Sequence, residues 1–393
     1  MISRRTLLGS GLAAGALGTL GPVKPAFASD TDPRFIFVML RGGMDGMAAL
    51  PPHGDPDYPR ARGELTQRDV VKLDETFGLH PNLKRLAPYW RAGEMAIAPA
   101  IATPYRERSH FDVQIVLETG YATPKPSAEG WLNRVIGKAG LEAVAIGHTV
   151  PQLLAGAAPV ISWSPPRLPE ASPTYLETLS KLYERDQNLS EAFEAGLKAR
   201  DLVGMRDEDG QMNRNFGKKG SRPQMHDLAR AAAQFVRDPN GPRVAVVDTA
   251  GWDTHANQGT SQGRLARQLL MLGQALDTFK AELGPVWNRT VIVAATEFGR
   301  TVRINGTKGT DHGTGGAAFV MGGAVRGGRV IGEWPGLRGK GLYEGRDLLP
   351  TADIRGLCAS VLIDHMGLAE RISFETAFPG LDARVMVDGV VRA

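Results

Sequence analysis

The chain has 393 residues and a formal net charge of +4 at pH 7, with 46 Lys and Arg against 42 Asp and Glu. Arg4, Arg5 and Lys24 lie in a leading stretch, residues 1–28, that holds no acid, so the remainder carries only +1. That balance leaves no large basic face, which argues against nucleic acid as a partner. A single cysteine, Cys358, excludes an internal disulfide and leaves stability to the core.

In chain order, the paired Arg4-Arg5 precedes a stretch rich in Ala, Gly and Leu, and Ala26-Phe27-Ala28 supplies a small-x-small cleavage pattern. This predicts a twin-arginine signal at 1–28, cut after Ala28, with the twin-arginine translocase as partner and a periplasmic or otherwise exported destination. The apolar stretch 7–23 contains five glycines and a proline and is barely long enough to span a bilayer, so no stable anchor is expected. Residues 29–393 read as one α/β domain.

Residues 34–40 form a continuous apolar run, as in a strand covered on both faces, ending in the turn Gly42-Gly43-Met44-Asp45-Gly46. Helical spacing follows at 81–90, then a strand at 95–100. Ser109 caps a helix running to about 118. Further strands are predicted at 160–163, 243–247, 290–295 and 317–321, and a helix at 353–366 with Cys358 buried in it. Strands alternating with helices predict a three-layer fold, a mostly parallel sheet with helices on both faces. Residues 165–240, amphipathic and charged, read as a helical insertion or cap, with 207–222 as a polar loop.

Chemistry-bearing residues gather behind these strands, where α/β proteins place their sites. Asp253 and His255 are two apart after the 243–247 strand and can face one ion. Capping and packing is the plainer alternative. Glu297 follows the 290–295 strand, where a buried carboxylate needs a metal or a cation such as Arg300. His312 sits between glycines in Gly309-Thr310-Asp311-His312-Gly313. Asp45 is either a metal ligand or a turn aspartate accepting backbone N–H groups. Ser109 is either a helix cap or a hydroxyl held where backbone N–H groups stabilise an anion, with Arg106 and Arg108 near enough to grip its oxygens. His53, His80, His148, His226 and His365 read as structural.

Six motifs in order resemble the DUF1501 family of exported bacterial proteins. They are 40–46 (Leu-Arg-Gly-Gly-Met-Asp-Gly), 108–112 (Arg-Ser-His-Phe-Asp), 130–134 (Gly-Trp-Leu-Asn-Arg), 251–255 (Gly-Trp-Asp-Thr-His), 296–300 (Thr-Glu-Phe-Gly-Arg) and 309–313 (Gly-Thr-Asp-His-Gly). That family is similar in turn to the alkaline phosphatase and sulfatase superfamily. The resemblance implies an alkaline phosphatase-like fold and a metal-dependent hydrolase of phosphate or sulfate esters, acting on a small or polymer-linked anionic ester. It implies Ser109 as nucleophile, with His110 or Arg300 contacting substrate oxygens. Asp45 and Glu297 would hold one divalent ion and Asp253, His255 and His312 another, with Zn, Mn, Mg and Ca not distinguished. Two departures stand out: Asp253 and His255 are unusually close, and Phe298 stands where the superfamily has a histidine. The alternative is a non-catalytic exported metal-binding or assembly protein on the same fold.

Overall fold

The computed structural model describes residues 32–126, 128–165, 172–202 and 224–392. The export signal expected at 1–28 and the polar loop expected at 207–222 therefore lie outside the described residues. Eight strands make one sheet: β1 (Arg34–Arg41), β4 (Met95–Ala102), β5 (Ala143–Ile146), β6 (Val160–Trp163), β7 (Val244–Ala250), β8 (Thr290–Ala295), β9 (Gly316–Met321) and β12 (Ala352–Asp353). Their order is β12-β4-β9-β8-β1-β7-β5-β6. Every pairing is parallel except those of β9, which runs against β4 and β8. Two small hairpins stand apart, β2 (Val71–Lys72) with β3 (Gly78–Leu79) and β10 (Leu342–Tyr343) with β11 (Asp347–Leu348).

The β1 pattern shows why the sheet is the middle layer. Successive side chains point to opposite faces. Ile36, Val38 and Leu40 enter one apolar core, and Phe35, Phe37 and Met39 the other. The first core is closed by α3 (Ala87–Arg91), α8 (Met225–Arg237) and α9 (Arg264–Leu283), the second by α5 (Trp131–Ala139) and α10 (Ile354–Ser360). Each fully buried large apolar side chain here contributes about 1.5–3 kcal/mol.

Smaller elements carry site residues: α1 (Gly46–Ala49), α2 (Tyr58–Arg62) and α4 (His110–Thr119). Within 165–240, α6 (Pro173–Tyr183) and α7 (Gln187–Leu202) are helical as expected. Helix α8 is no cap, because Ala231, Ala232, Phe235 and Val236 are buried in the first core. The 81–90 segment splits into a 3-10 stretch, Pro81–Leu86, and α3, since Pro88 sits at the start of the second helix. Strand β5 and helices α5 and α9 were not assigned from sequence. Among the described residues, no helix is long and apolar enough to cross a membrane.

The topology gathers the site at one edge. Strands β8, β1 and β7 are neighbours and end together, with Met39 level with Ala295 and Arg41 level with Ala250. Because β9 is antiparallel, the loop before it arrives at the same edge. Strand β4 also ends there, after a register shift between Pro99 and Ile101 that bends it, and the chain continues into α4.

Candidate metal centre

Four side chains converge at this edge. His110 opens α4, Asp253 and His255 follow β7, and His312 lies in the loop before β9. His255 Nε2 is 2.9 Å from His312 Nε2. Asp253 Oδ1 lies 3.1 Å from His255 Nε2 and 3.5 Å from His312 Nε2, and Oδ2 lies 3.7 Å from His110 Nε2. Ligand atoms of His110, Asp253 and His312 all lie within 4.8 Å of one another.

The other nitrogen of each ring sets its tautomer. His110 Nδ1 faces Glu297 Oε1 at 2.8 Å, His255 Nδ1 faces Asp311 Oδ1 at 3.1 Å, and His312 Nδ1 faces the Arg108 carbonyl at 2.8 Å. These oxygens only accept, so each Nδ1–H donates and each neutral ring keeps its lone pair on Nε2. Two such lone pairs face each other at hydrogen-bond distance, a contact that a proton on one ring or a shared metal ion would relieve. His110 Nε2 is buried without a hydrogen-bond partner. Three imidazoles oriented from behind by oxygen acceptors, with a carboxylate in front, could hold a metal ion.

The surroundings support that state of charge. Burial raises the Asp253 pKa, but the hydrogen bond and charge of Arg300, with His255 and His110, outweigh it and hold the carboxyl below the usual range. Burial, the largest cause, lowers the His312 pKa and so favours the neutral ring, against the hydrogen bond to the Arg108 carbonyl. Asp311 is held low first by its bond from Asn305. Phe298 packs its ring 4.8 Å from His110 and 4.9 Å from His312, an apolar wall beside the two imidazoles.

Four residues proposed from the sequence as ligands or substrate contacts are engaged by other groups. Asp45 is not among the converging groups. It caps α1, accepting from Ala48 N, and Oδ2 is bound by Arg62 at 2.5 Å and Gln258 Nε2 at 2.7 Å. Glu297 does not pair with Asp45 around a second ion. Its Oε1 accepts from Gly42 N, His110 Nδ1 and Gln114 Nε2, and Oε2 from the Thr296 hydroxyl. Burial raises the Glu297 pKa, but these bonds, led by His110, hold it near about 2. Arg300 offers nothing to a substrate: its guanidinium is buried and bound to the carbonyls of Gly42, Gly43, Trp252 and Thr310 and to Asp253. Likewise Arg108 is engaged by Asp347 and Glu344.

Ser109 caps α4, its hydroxyl accepting from Asp112 N at 3.4 Å. Its two neighbours both touch the cluster, Arg108 through its carbonyl and His110 through its ring. Arg62 and Gln258 were missed from sequence, since nothing in their local patterns marks them. Asp311 was legible only as the neighbour of His312.

No curated protein matches the sequence. Among solved structures, the soluble domain of lipooligosaccharide phosphoethanolamine transferase A from Neisseria meningitidis is 12% identical with TM-score 0.38, covering 76% of this chain and 78% of that chain. The C-terminal periplasmic domain of EcEptC from Escherichia coli, in complex with Zn, is 11% identical with TM-score 0.32, covering 74% and 72%. An alkaline phosphatase from the Antarctic bacterium TAB5 is 11% identical with TM-score 0.31, covering 74% and 92%. The family described as "Protein of unknown function (DUF1501)" matches residues 32–372, and the chain belongs to that family.

Proposed function

We propose that the chain is an exported metal-dependent hydrolase of phosphate or sulfate esters. The observation that carries this reading is the convergence of three imidazole Nε2 atoms on Asp253, each ring held from behind by an acceptor. His110, Asp253, His255 and His312 would hold one divalent cation, and an imidazole-rich set suits zinc or a similar transition ion better than magnesium or calcium. Bound there, such an ion supplies Lewis-acid stabilisation of developing oxygen charge.

The chain's own residues do the rest. The Ser109 hydroxyl lies at the start of a helix of 10 residues, where backbone N–H groups and the helix dipole stabilise negative charge. It attacks phosphorus or sulfur, losing its proton to solvent. The ester bond breaks and the leaving alkoxide takes a proton from water. Water then cleaves the covalent intermediate and restores the hydroxyl. Glu297 holds His110, Arg300 holds Asp253 against the Gly42-Gly43 turn, and Phe298 excludes water from one side. Export rests on the Arg4-Arg5 signal, which N-terminal sequencing of secreted protein tests.

The test of activity is turnover of aryl phosphate and aryl sulfate esters by metal-loaded wild type, Ser109→Ala and Asp253→Ala. Loss in both variants is expected; full activity in Ser109→Ala would remove the nucleophile. A second reading, a non-catalytic exported metal-binding protein, is favoured by the hydroxyl of Ser109 being engaged as a cap. Tight metal binding without turnover of any ester would establish it.

A further inference from the structure

The two loops that bring His255 and His312 together are joined underneath by the Gln258 carboxamide. Gln258 Nε2 donates to Asp45 Oδ2 at 2.7 Å, and Gln258 Oε1 accepts from Thr254 Oγ1 at 2.8 Å and Thr310 Oγ1 at 2.7 Å. Asp45, Arg62, Thr254, Gln258 and Thr310 are all without solvent exposure. The carboxylate of Asp45 can only accept, so the amide nitrogen must face it and the amide oxygen must face the hydroxyls. Both lone pairs of that oxygen are then used, one for each loop. Asp45 is anchored in turn by Arg62, whose guanidinium also reaches the Thr301 and Val302 carbonyls on the segment leading to His312.

Thr254 precedes His255, and Thr310 stands two residues before His312. We propose that Gln258 is a positioning residue which, oriented by Asp45, sets the separation of the His255 and His312 Nε2 atoms through these two hydroxyls. This rests on the metal reading. It gives Asp45 a role the sequence did not suggest: orienting the clamp rather than holding a second ion. The loops also share main-chain bonds, Thr310 N to Thr254 O and Gln258 N to Lys308 O. The question is whether the side-chain clamp adds to that ladder.

Thr254→Val and Thr310→Val keep shape and delete the hydroxyl, whereas Thr254→Ser and Thr310→Ser keep it. Zn2+ dissociation constants, measured on the full chain by competition with a chromophoric chelator, are expected to rise about 10-fold for each Val variant and about 10–100-fold for Gln258→Leu. The Ser variants are expected to bind as wild type does. The visible spectrum of the Co2+-loaded protein is expected to change in the Val variants and return in the Ser variants, which a loss of stability alone would not produce. Should Gln258→Leu fail to fold, the threonine series decides. Wild-type affinity and spectrum in both Val variants would overturn the clamp while leaving the metal site intact. Failure of wild type to bind Zn2+ or Co2+ would overturn the metal reading and the clamp together.

Discussion

Asp253 concentrates the site's electrostatics. One oxygen meets Arg300, His255 and His312, and the other faces His110. Asp253→Ala is therefore expected to weaken Zn2+ binding by more than the roughly 10–100-fold typical of residues behind the ligands. Glu297→Gln, which leaves His110 a neutral acceptor, belongs in that lower range, and chelator competition separates the two. His365 allows a test remote from the site. Its Nε2–H donates to the Arg34 carbonyl at 2.8 Å, and burial lowers its pKa to about 4. The unfolded ring takes up its proton near about 6.5. Its contribution to stability is thus fully present above about 6.5 and is lost as pH falls toward about 4. His365→Gln does not titrate, so the wild type's thermal midpoint is expected to lose ground to the variant's as pH drops through this window. A difference independent of pH would refute the linkage.

Between strand ends and ligands, backbone conformation does the positioning. Gly42 has φ +119, and a Cβ there would stand 2.7 Å from Asp253 N. Gly42→Ala is expected to cost about 1–3 kcal/mol of stability and to weaken metal binding by displacing Asp253. Chemical denaturation and Zn2+ titration check the two effects; an unchanged midpoint would mean the turn yields freely. The strands around this turn were readable in advance because continuous apolar runs such as 35–40 and 291–295 need cover on both faces. The role of 225–237 was harder to read. An amphipathic helix shows the same period whether it caps a domain or packs on the sheet, and only its neighbours settle which.

A cation that bound only the folded chain would link the site to the stability of the entire domain. At a free Zn2+ concentration of 100 Kd the gain is about 2.7 kcal/mol. Calorimetry is expected to show a Zn2+-dependent rise in wild type, reversed by chelator and absent in Asp253→Ala; an equal rise in that variant would place the ion elsewhere. Residue order was enough to anticipate a mostly parallel sheet and to gather Asp253, His255 and His312 behind its strands, since periodicity and ligand chemistry are local properties. It could not say which carboxylates were free. Asp45 could be read as a ligand or as a turn aspartate until folding brought Arg62 and Gln258 onto it, and Glu297 is claimed by His110 across 187 positions. A charged group's role depends on what neutralises it, and those partners meet only when distant segments pack together.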